Sequence, residues 1–275
     1  MKKLKVLDLF SGIGGFTLGL DSTNFFETVK FVEKDKYCQK VLQKNFPNIP
    51  IEEDIKNVKG KEGEADVICG GFPCQPFSVA GKQKGTSDDR HLWPEMFRLI
   101  REIKPQFVIG ENVKNIINIQ DGVVFETVCT DLESEGYEVQ PFNIPAAGVG
   151  APHRRERVWI VANTKSIESY VGEHGKHQEE RSGQGEIRGE NSHDANTYSK
   201  RLERFRTEHE LRNSEKEKQT SGNSWWSVEP NVGRVANGVP GRVHRLKGLG
   251  NAIVPQIARE LGLAIKKVMN EDTDI

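Results

Sequence analysis

The chain has 275 residues, 35% hydrophobic and 29% charged, which is enough for one full core and a smaller second lobe. No apolar run approaches the roughly 20 residues of a membrane helix and the first residues lack the apolar centre of a signal peptide, so we expect a cytoplasmic protein without membrane contact. The formal net charge of −1 excludes a global attraction to nucleic acid, so any polyanion would have to bind local basic clusters.

The first predicted unit is a strand over 4–10, a glycine turn over 11–15 and a short helix over 16–21. This order opens many nucleotide-binding α/β folds, because glycine lets the backbone approach a ligand that a side chain would exclude. Thr17 stands where the dinucleotide fingerprint needs its third glycine, which argues against a nicotinamide enzyme. The turn either accepts a nucleoside or merely connects strand to helix.

Two acidic residues follow the next predicted strands. Glu33 follows the strand over 29–32, about 20 residues beyond the glycine turn. There it could accept hydrogen bonds from ribose hydroxyls or remain a solvated charge. A helix is predicted over 36–46. Asp54 and Ile55 indicate a short third strand, in which Asp54 faces either a nucleobase amine or solvent.

The sequence GGFPCQPFS at 70–78 follows an apolar strand predicted over 65–69, so its glycines are expected to mark the strand end and begin a loop. Pro73 and Pro76 flank Cys74 and would hold its thiol in one orientation. Cys74 is therefore either a nucleophile or, as lone cysteines often are, a small buried hydrophobe. The four cysteines are too dispersed for a zinc site, and we expect them to be reduced and no metal to bind.

A polar stretch over 79–89 is either a surface loop or a lid over substrate. An amphipathic helix over 91–104 and a buried strand over 107–110 follow, and Glu111 comes directly after that strand. Because strands and helices alternate, Cys74 and Glu111 should follow the carboxyl ends of neighbouring strands and share one crevice.

A helix over 124–135 and strands over 138–144 and 158–162 complete the predicted sheet. Between the two strands lie a glycine turn and a charged run that includes Arg155 and Arg157. The run is either a solvated hairpin end or a pair of guanidinium groups directed at the crevice, where they could bind a carboxylate, a phosphate or a base carbonyl.

The predicted second lobe covers residues 163–249, and the first lobe is 1–162 plus 250–275. Its polar part, 163–223, has a composition typical of disorder or of a segment that DNA orders. A later basic group could follow a phosphate backbone without reading sequence, and its arginines are Arg234, Arg242 and Arg245. A final amphipathic helix over 254–268 should pack back on the first lobe.

Five motifs in order resemble those of the cytosine-5 DNA methyltransferases. They are DLFSGIGG at 8–15, GFPCQPFS at 71–78, ENV at 111–113, RERV at 155–158 and GNAIVP at 250–255. Two departures stand out: His153 replaces a common glutamine, and RVANGVP at 234–240 only loosely matches the motif before the final helix.

The resemblance implies an α/β, Rossmann-like S-adenosylmethionine-dependent methyltransferase sheet with a smaller, irregular target-recognition lobe. It implies methyl transfer to carbon 5 of a cytosine flipped out of double-stranded DNA, in a monomer of restriction-modification or phage type that a cognate restriction endonuclease could accompany. Two alternatives stay open: a tRNA cytosine methyltransferase and a catalytically inactive DNA-binding regulator.

The resemblance also implies residue roles. Cys74 would attack carbon 6, Glu111 would bind or protonate N3 and the amino edge, and Arg155 and Arg157 would hold the base carbonyl. The base that removes the carbon 5 proton is unassigned, with water as a candidate. The cofactor residues would be Phe10, Gly12, Gly14, Glu33, Asp54, Pro73, Leu92 and Asn251. The DNA contacts would be Ser78 and Arg90 with Arg234, Arg242 and Arg245.

Overall fold

The structure, a computed structural model, describes residues 2–73, 92–164 and 248–271. The strands are β1 (Leu4–Leu9), β2 (Phe26–Val32), β3 (Ile51–Glu52), β4 (Val67–Gly71), β5 (Phe107–Val113), β6 (Tyr137–Pro145) and β7 (Glu156–Thr164). The helices are α1 (Gly15–Asp21), α2 (Lys36–Asn45), α3 (Trp93–Ile103), α4 (Val123–Ser134) and α5 (Pro255–Glu271). The predicted α/β class is confirmed.

The seven strands form one sheet in the order β3-β2-β1-β4-β5-β7-β6. Strands β1 to β5 pair in parallel, whereas β7 is antiparallel to both β5 and β6. The chain runs outward from β1 to β3 and then returns to the other side of β1 with β4. This reversal separates the loops that follow β1 and β4 and opens a crevice at their carboxyl ends, as expected for a doubly wound sheet.

Two apolar clusters cover the two faces of the sheet. One face packs against α3 and α4 through residues such as Met96, Leu99 and Phe125. The other face packs against α1 and α5 through Phe16 and Ile257. The sheet is therefore the middle layer of three, and both of its faces are buried.

The sequence predicts that the final helix packs back on the first lobe, and in the structure α5 packs directly on α1. A Cβ atom placed on Gly19 of α1 would overlap the Pro255 carbonyl oxygen and would lie 2.7 Å from the Ala258 Cβ. Glycine at this position therefore permits close contact between the two helices. The packing joins residues 255–271 to the sheet's first βα unit.

The structure corrects three local predictions. The third strand is Ile51–Glu52, because the Asp54 carboxylate accepts a hydrogen bond from the Lys56 N–H and caps a short 3₁₀ helix instead of continuing a strand. Gly70 and Gly71 belong to β4 and pair with β5. Glu111 lies within β5, which continues to Val113.

Several predicted features lie outside the described residues. They are the stretch 79–89 and most of the predicted second lobe, from 165 to 247. Three cysteines in the described ranges, Cys38, Cys69 and Cys129, are buried and not joined in disulfides. No helix in the described ranges is long and apolar enough to cross a membrane.

Candidate active site

The glycine turn after β1 lies at the crevice in an unusual backbone conformation. Phe10, Gly12 and Gly14 all have positive φ angles, of 52°, 56° and 87°. At Gly14 a Cβ atom would lie 2.6 Å from the Phe46 ring, so glycine is needed there for packing against α2. At Gly12 a Cβ would meet no atom of the described residues nearer than the Phe10 carbonyl oxygen at 4.0 Å, so within this part of the chain open space adjoins the backbone.

The Glu33 carboxylate holds the glycine turn against the end of β2. Its Oε2 accepts a hydrogen bond from the Gly12 N–H at 2.7 Å, and its Oε1 accepts one from the Asp35 N–H at 2.7 Å. The side chain is half-buried. Glu33 is therefore at the crevice edge, as predicted, and its two backbone contacts fix the carboxylate in place.

Below the turn lies a buried carboxyl that the sequence reading left without a role. Asp8 is fully buried in β1, and its Oδ2 accepts a hydrogen bond from the Thr17 hydroxyl at 2.8 Å. Burial is the main cause that raises the pKa of Asp8 to about 8, with Thr17 opposing it. Asp8 is thus mostly neutral at pH 7, and Thr17, which breaks the dinucleotide fingerprint, is its hydrogen-bond donor.

The predicted cofactor residues beyond the turn lie in separate elements. The Pro73 carbonyl accepts a hydrogen bond from the Leu92 N–H at 3.3 Å, so these two residues adjoin. Asp54 caps the 3₁₀ helix Ile55–Asn57. Asn251 is exposed and lies in the segment that leads into α5. The structure thus places Pro73 and Leu92 together.

The strongest polar contact at the carboxyl end of β5 is an ion pair between Glu111 and Arg157. The Arg157 Nε lies 3.1 Å from the Glu111 Oε1, and the two side chains are only 19% and 12% exposed. Burial raises the pKa of Glu111 to about 7, although Arg157 and Arg155 oppose that shift. A carboxyl with this pKa can both hold and release a proton near neutral pH.

Glu111 also adjoins the strand that leads to Cys74. Gly71 pairs with Glu111 across β4 and β5, and a Cβ atom on Gly71 would lie 3.2 Å from the Glu111 Oε2. Cys74 follows Gly71 by three positions and itself lies outside the described residues. The predicted neighbourhood of the strands that carry Glu111 and precede Cys74 is therefore confirmed.

Arg155 makes different contacts from Arg157. Its Nη2 donates to the carbonyl oxygens of Gly250 at 2.8 Å and Ala252 at 2.7 Å. Desolvation is the largest cause that lowers the Arg155 pKa, followed by repulsion from Arg157. Both arginines thus approach the crevice edge, and only Arg157 forms an ion pair with Glu111 among the contacts of the described ranges.

Asn112 holds the peptide just before Cys74, a role that the sequence reading missed. Its buried Nδ2 donates to the Phe72 carbonyl oxygen at 2.8 Å, while its Oδ1 accepts from the Val113 N–H at 2.9 Å. An amide two positions beyond Gly110, between Glu111 and Val113, was the available signal, since a buried amide needs hydrogen-bond partners.

Five predicted DNA contacts, like Cys74, lie outside the described residues. They are Ser78, Arg90, Arg234, Arg242 and Arg245. Their roles stay predictions from sequence.

Curated methyltransferases are similar to part of this chain. Type II methyltransferase M.Bsp6I of Bacillus sp. (strain RFL6) is 41% identical over 171 residues, which cover 61% of this chain and 54% of that protein. Type II methyltransferase M.HhaI of Haemophilus parahaemolyticus is 39% identical over 171 residues, covering 61% and 52%. The chain spans about half the length of these curated relatives.

The fold is also similar to that of a solved structure. A mutant of Spodoptera frugiperda DNMT2 superposes with a TM-score of 0.52 at 24% identity, over 59% of this chain and 50% of that one. The family model described as C-5 cytosine-specific DNA methylase matches residues 4–239, which is most of the sequence. The chain therefore belongs to the C-5 cytosine-specific DNA methylase family.

Proposed function

We propose that the protein transfers a methyl group from S-adenosylmethionine to carbon 5 of a cytosine in a specific double-stranded DNA sequence. The observation that carries this proposal is the Glu111–Arg157 pair, which adjoins Gly71 at the carboxyl edge of β4 and β5. Glu111, an acid with a pKa of about 7, therefore lies beside the strand that leads to Cys74, in a chain of the C-5 cytosine methylase family.

The chemistry requires a nucleophile because carbon 5 of cytosine reacts poorly within its aromatic ring. In this proposal the Cys74 thiolate forms a bond to carbon 6, which breaks the aromaticity and makes carbon 5 electron-rich. After methylation a base removes the carbon 5 proton, and the bond between sulfur and carbon 6 breaks. The ring faces are covered in a stacked duplex, so the cytosine must leave the stack before Cys74 can reach it.

Glu111 supports the addition step. In its protonated form it donates to the ring nitrogen N3 as negative charge develops there, and a pKa of about 7 keeps a large fraction protonated at neutral pH. The Arg157 Nε, 3.1 Å from Oε1, orients this carboxyl and limits how far burial raises its pKa. We therefore assign Cys74 and Glu111 to the chemical step, with Arg157 as their cationic neighbour.

The described residues at the crevice fit the cofactor. Gly12 leaves open space beside its backbone, and the Glu33 carboxylate is fixed at the end of β2, where a ribose would be bound. When bound, S-adenosylmethionine supplies an electrophilic methyl group on a sulfonium centre. The residues proposed to hold it are Phe10, Gly12, Gly14, Glu33, Asp54, Pro73, Leu92 and Asn251.

DNA recognition is proposed for the second lobe. Residues 163–249 would read the target and contact phosphates through Arg234, Arg242 and Arg245, with Ser78 and Arg90 contacting phosphates near Cys74. We propose a cytoplasmic monomer, in which residues 1–162 and 250–275 form the catalytic domain, acting with or without a cognate restriction endonuclease.

The proposal is tested by incubating the purified chain with labelled S-adenosylmethionine and either bacterial genomic DNA lacking cytosine methylation or unmodified tRNA. We expect label on carbon 5 of cytosine in the DNA, and sequencing of the modified positions should show one recurring target. Label in tRNA alone would favour an RNA methyltransferase. DNA binding without label in either substrate would contradict the proposed activity and favour a regulator.

A further inference from the structure

Arg155 lies in the turn between β6 and β7, and its backbone conformation differs from that of the strand that follows. Arg155 has a φ of 34°, in the left-handed region that residues other than glycine rarely adopt. The Ala146 N–H donates to the Arg154 carbonyl oxygen at 2.7 Å and so closes the turn at this point. Arg155 therefore departs from the regular pleat of β7, to which Arg157 belongs.

The Arg155 guanidinium instead contacts a segment 95 or more residues away in the sequence. Its Nη2 donates to the Gly250 and Ala252 carbonyl oxygens, at 2.8 and 2.7 Å. Gly250 lies in a helical turn over 248–251 and Ala252 directly follows it, so both carbonyl oxygens lie at the carboxyl end of that turn, where a cationic donor is favourable. A charged donor shared by two carbonyls fixes the local path of the chain more strongly than a neutral hydrogen bond does.

The segment that Arg155 holds contacts both sides of the crevice. Ile253 approaches Gly15 at the start of α1 so closely that a Cβ there would lie 2.8 Å from both the Ile253 Cβ and its carbonyl oxygen. The Ile253 Cδ1 would lie 3.5 Å from a Cβ on Gly71, the residue that adjoins Glu111. Asn251, which lies between the two bonded carbonyls, is a proposed cofactor residue.

We infer that Arg155 is a positioning residue for the cofactor pocket, which holds the segment 250–253 in place rather than contacting the cytosine. The inference rests on the proposed function, since it assigns Arg155 a part in that same site. It divides the arginine motif into two roles: Arg157 acts on Glu111, and Arg155 acts on the segment carrying Asn251 and Ile253. Cofactor affinity in the absence of DNA should then depend on Arg155 and not on Arg157.

The test compares Arg155→Met with the matched variant Arg157→Met, using S-adenosylhomocysteine as the probe and calorimetry without DNA. We expect Arg155→Met to weaken binding about tenfold or more, the usual scale for loss of charged hydrogen bonds, while Arg157→Met changes it less than about twofold. Arg155→Lys should recover part of the loss, because an ammonium can still donate to both carbonyls. Equal affinity in Arg155→Met and wild type would overturn the inference.

A second readout needs no ligand. Hydrogen exchange of the Ala252 N–H, which donates to the Leu249 carbonyl oxygen at 3.3 Å, should become faster in Arg155→Met and stay unchanged in Arg157→Met. Unchanged exchange in both variants would overturn the positioning role. If wild-type protein binds no S-adenosylhomocysteine while the exchange difference is present, the proposed function fails and the structural link stands, so the two failures are distinguishable.

Discussion

At the scale of single residues, the site depends on two carboxyl groups whose pKa values are raised by burial. Glu111 lies at the crevice, where burial raises its pKa to about 7 although the charge of Arg157 partly opposes that shift. Asp8 lies below the glycine turn, where complete burial raises its pKa to about 8 although its Oδ2 accepts a hydrogen bond from the Thr17 hydroxyl. In the proposed reaction the first carboxyl exchanges a proton with the base, whereas the second is enclosed and its protonation contributes to the free energy of unfolding.

Replacing Glu111 by glutamine should slow methyl transfer while leaving the fold intact. The amide keeps the shape of the side chain but supplies no acidic proton, so we expect kcat to fall by about 100-fold to 10,000-fold, the range typical of a lost general acid. The control is Glu62→Gln, which removes a carboxylate that pairs with Lys104 at 3.2 Å on an exposed surface. Methyl transfer by Glu111→Gln at the wild-type rate would show that Glu111 has no chemical role.

Replacing Asp8 by asparagine should change how stability depends on pH. Between about pH 4 and pH 8 the folded protein retains a proton on Asp8 that the unfolded chain releases, so this group's contribution to the free energy of unfolding falls by about 1.4 kcal/mol per pH unit. That contribution is fully present below the unfolded pKa and is lost as pH rises through the folded pKa of about 8.

Denaturant unfolding from about pH 5 to about pH 7 therefore measures the effect. We expect the stability of Asp8→Asn relative to wild type to increase with pH across this range, since asparagine does not titrate. The control is Thr127→Ser at an exposed position, which removes no titrating group and should give a curve parallel to wild type. A parallel curve for Asp8→Asn would contradict the buried neutral carboxyl.

At the scale of elements, the packing of α1 on α5 predicts that Gly19→Ala destabilises the protein, whereas helix propensity alone predicts that it stabilises the protein. Alanine forms helix better than glycine by about 1 kcal/mol, yet a Cβ on Gly19 would overlap the Pro255 carbonyl oxygen. We expect Gly19→Ala to lower the free energy of unfolding by about 1–3 kcal/mol, the cost of overpacking.

The matched control is Gly148→Ala, where a Cβ would be in ordinary contact with Pro145 at 3.9 Å. Its effect should stay within about 0.5 kcal/mol, as for most surface substitutions. A stabilised Gly19→Ala protein in denaturant unfolding would show that α5 does not pack this closely on α1.

The order of strands and helices could be predicted from the sequence because each element carries its own apolar pattern. Local patterns were less informative where tertiary contacts decide. Gly70 and Gly71 are typical of a loop, yet they continue β4 by pairing with neighbouring strands, and the close approach of Leu9 and Glu111 there favours glycine. Asp54 follows a two-residue strand and caps a 3₁₀ turn, because its short side chain accepts a hydrogen bond from the backbone two residues later.

The site was predictable in part for the same reason. The alternation of elements was enough to predict that Glu111 adjoins the strand before Cys74. The contact from Arg155 to Gly250 and Ala252 was not predictable, since it joins residues far apart in sequence and depends on a positive φ that no arginine pattern signals. Asn112 was visible in the sequence, but its bond to the Phe72 carbonyl depends on the register of β4 and β5.

At the scale of the whole molecule, the near-zero net charge predicts that DNA affinity depends on a few local cations. Each phosphate contact that is removed should reduce the slope of log affinity against log salt by about 1. We expect Arg242→Ala and Arg245→Ala each to give this change in fluorescence anisotropy titrations. Lys2→Ala, exposed before the amino end of β1 and away from the crevice, should leave the slope unchanged. Unchanged slopes in both arginine variants would contradict phosphate binding by this cluster.

In the proposed reaction Cys74 bonds covalently to the cytosine that is methylated. The most direct measurement is mass spectrometry of the protein after incubation with S-adenosylmethionine and duplex DNA that carries 5-fluorocytosine at the mapped target. Fluorine on carbon 5 prevents the final proton removal, so we predict a stable adduct on the peptide containing Cys74, and none in Cys74→Ser. Methyl transfer to normal DNA by Cys74→Ser at the wild-type rate, or an adduct on another residue, would contradict the account.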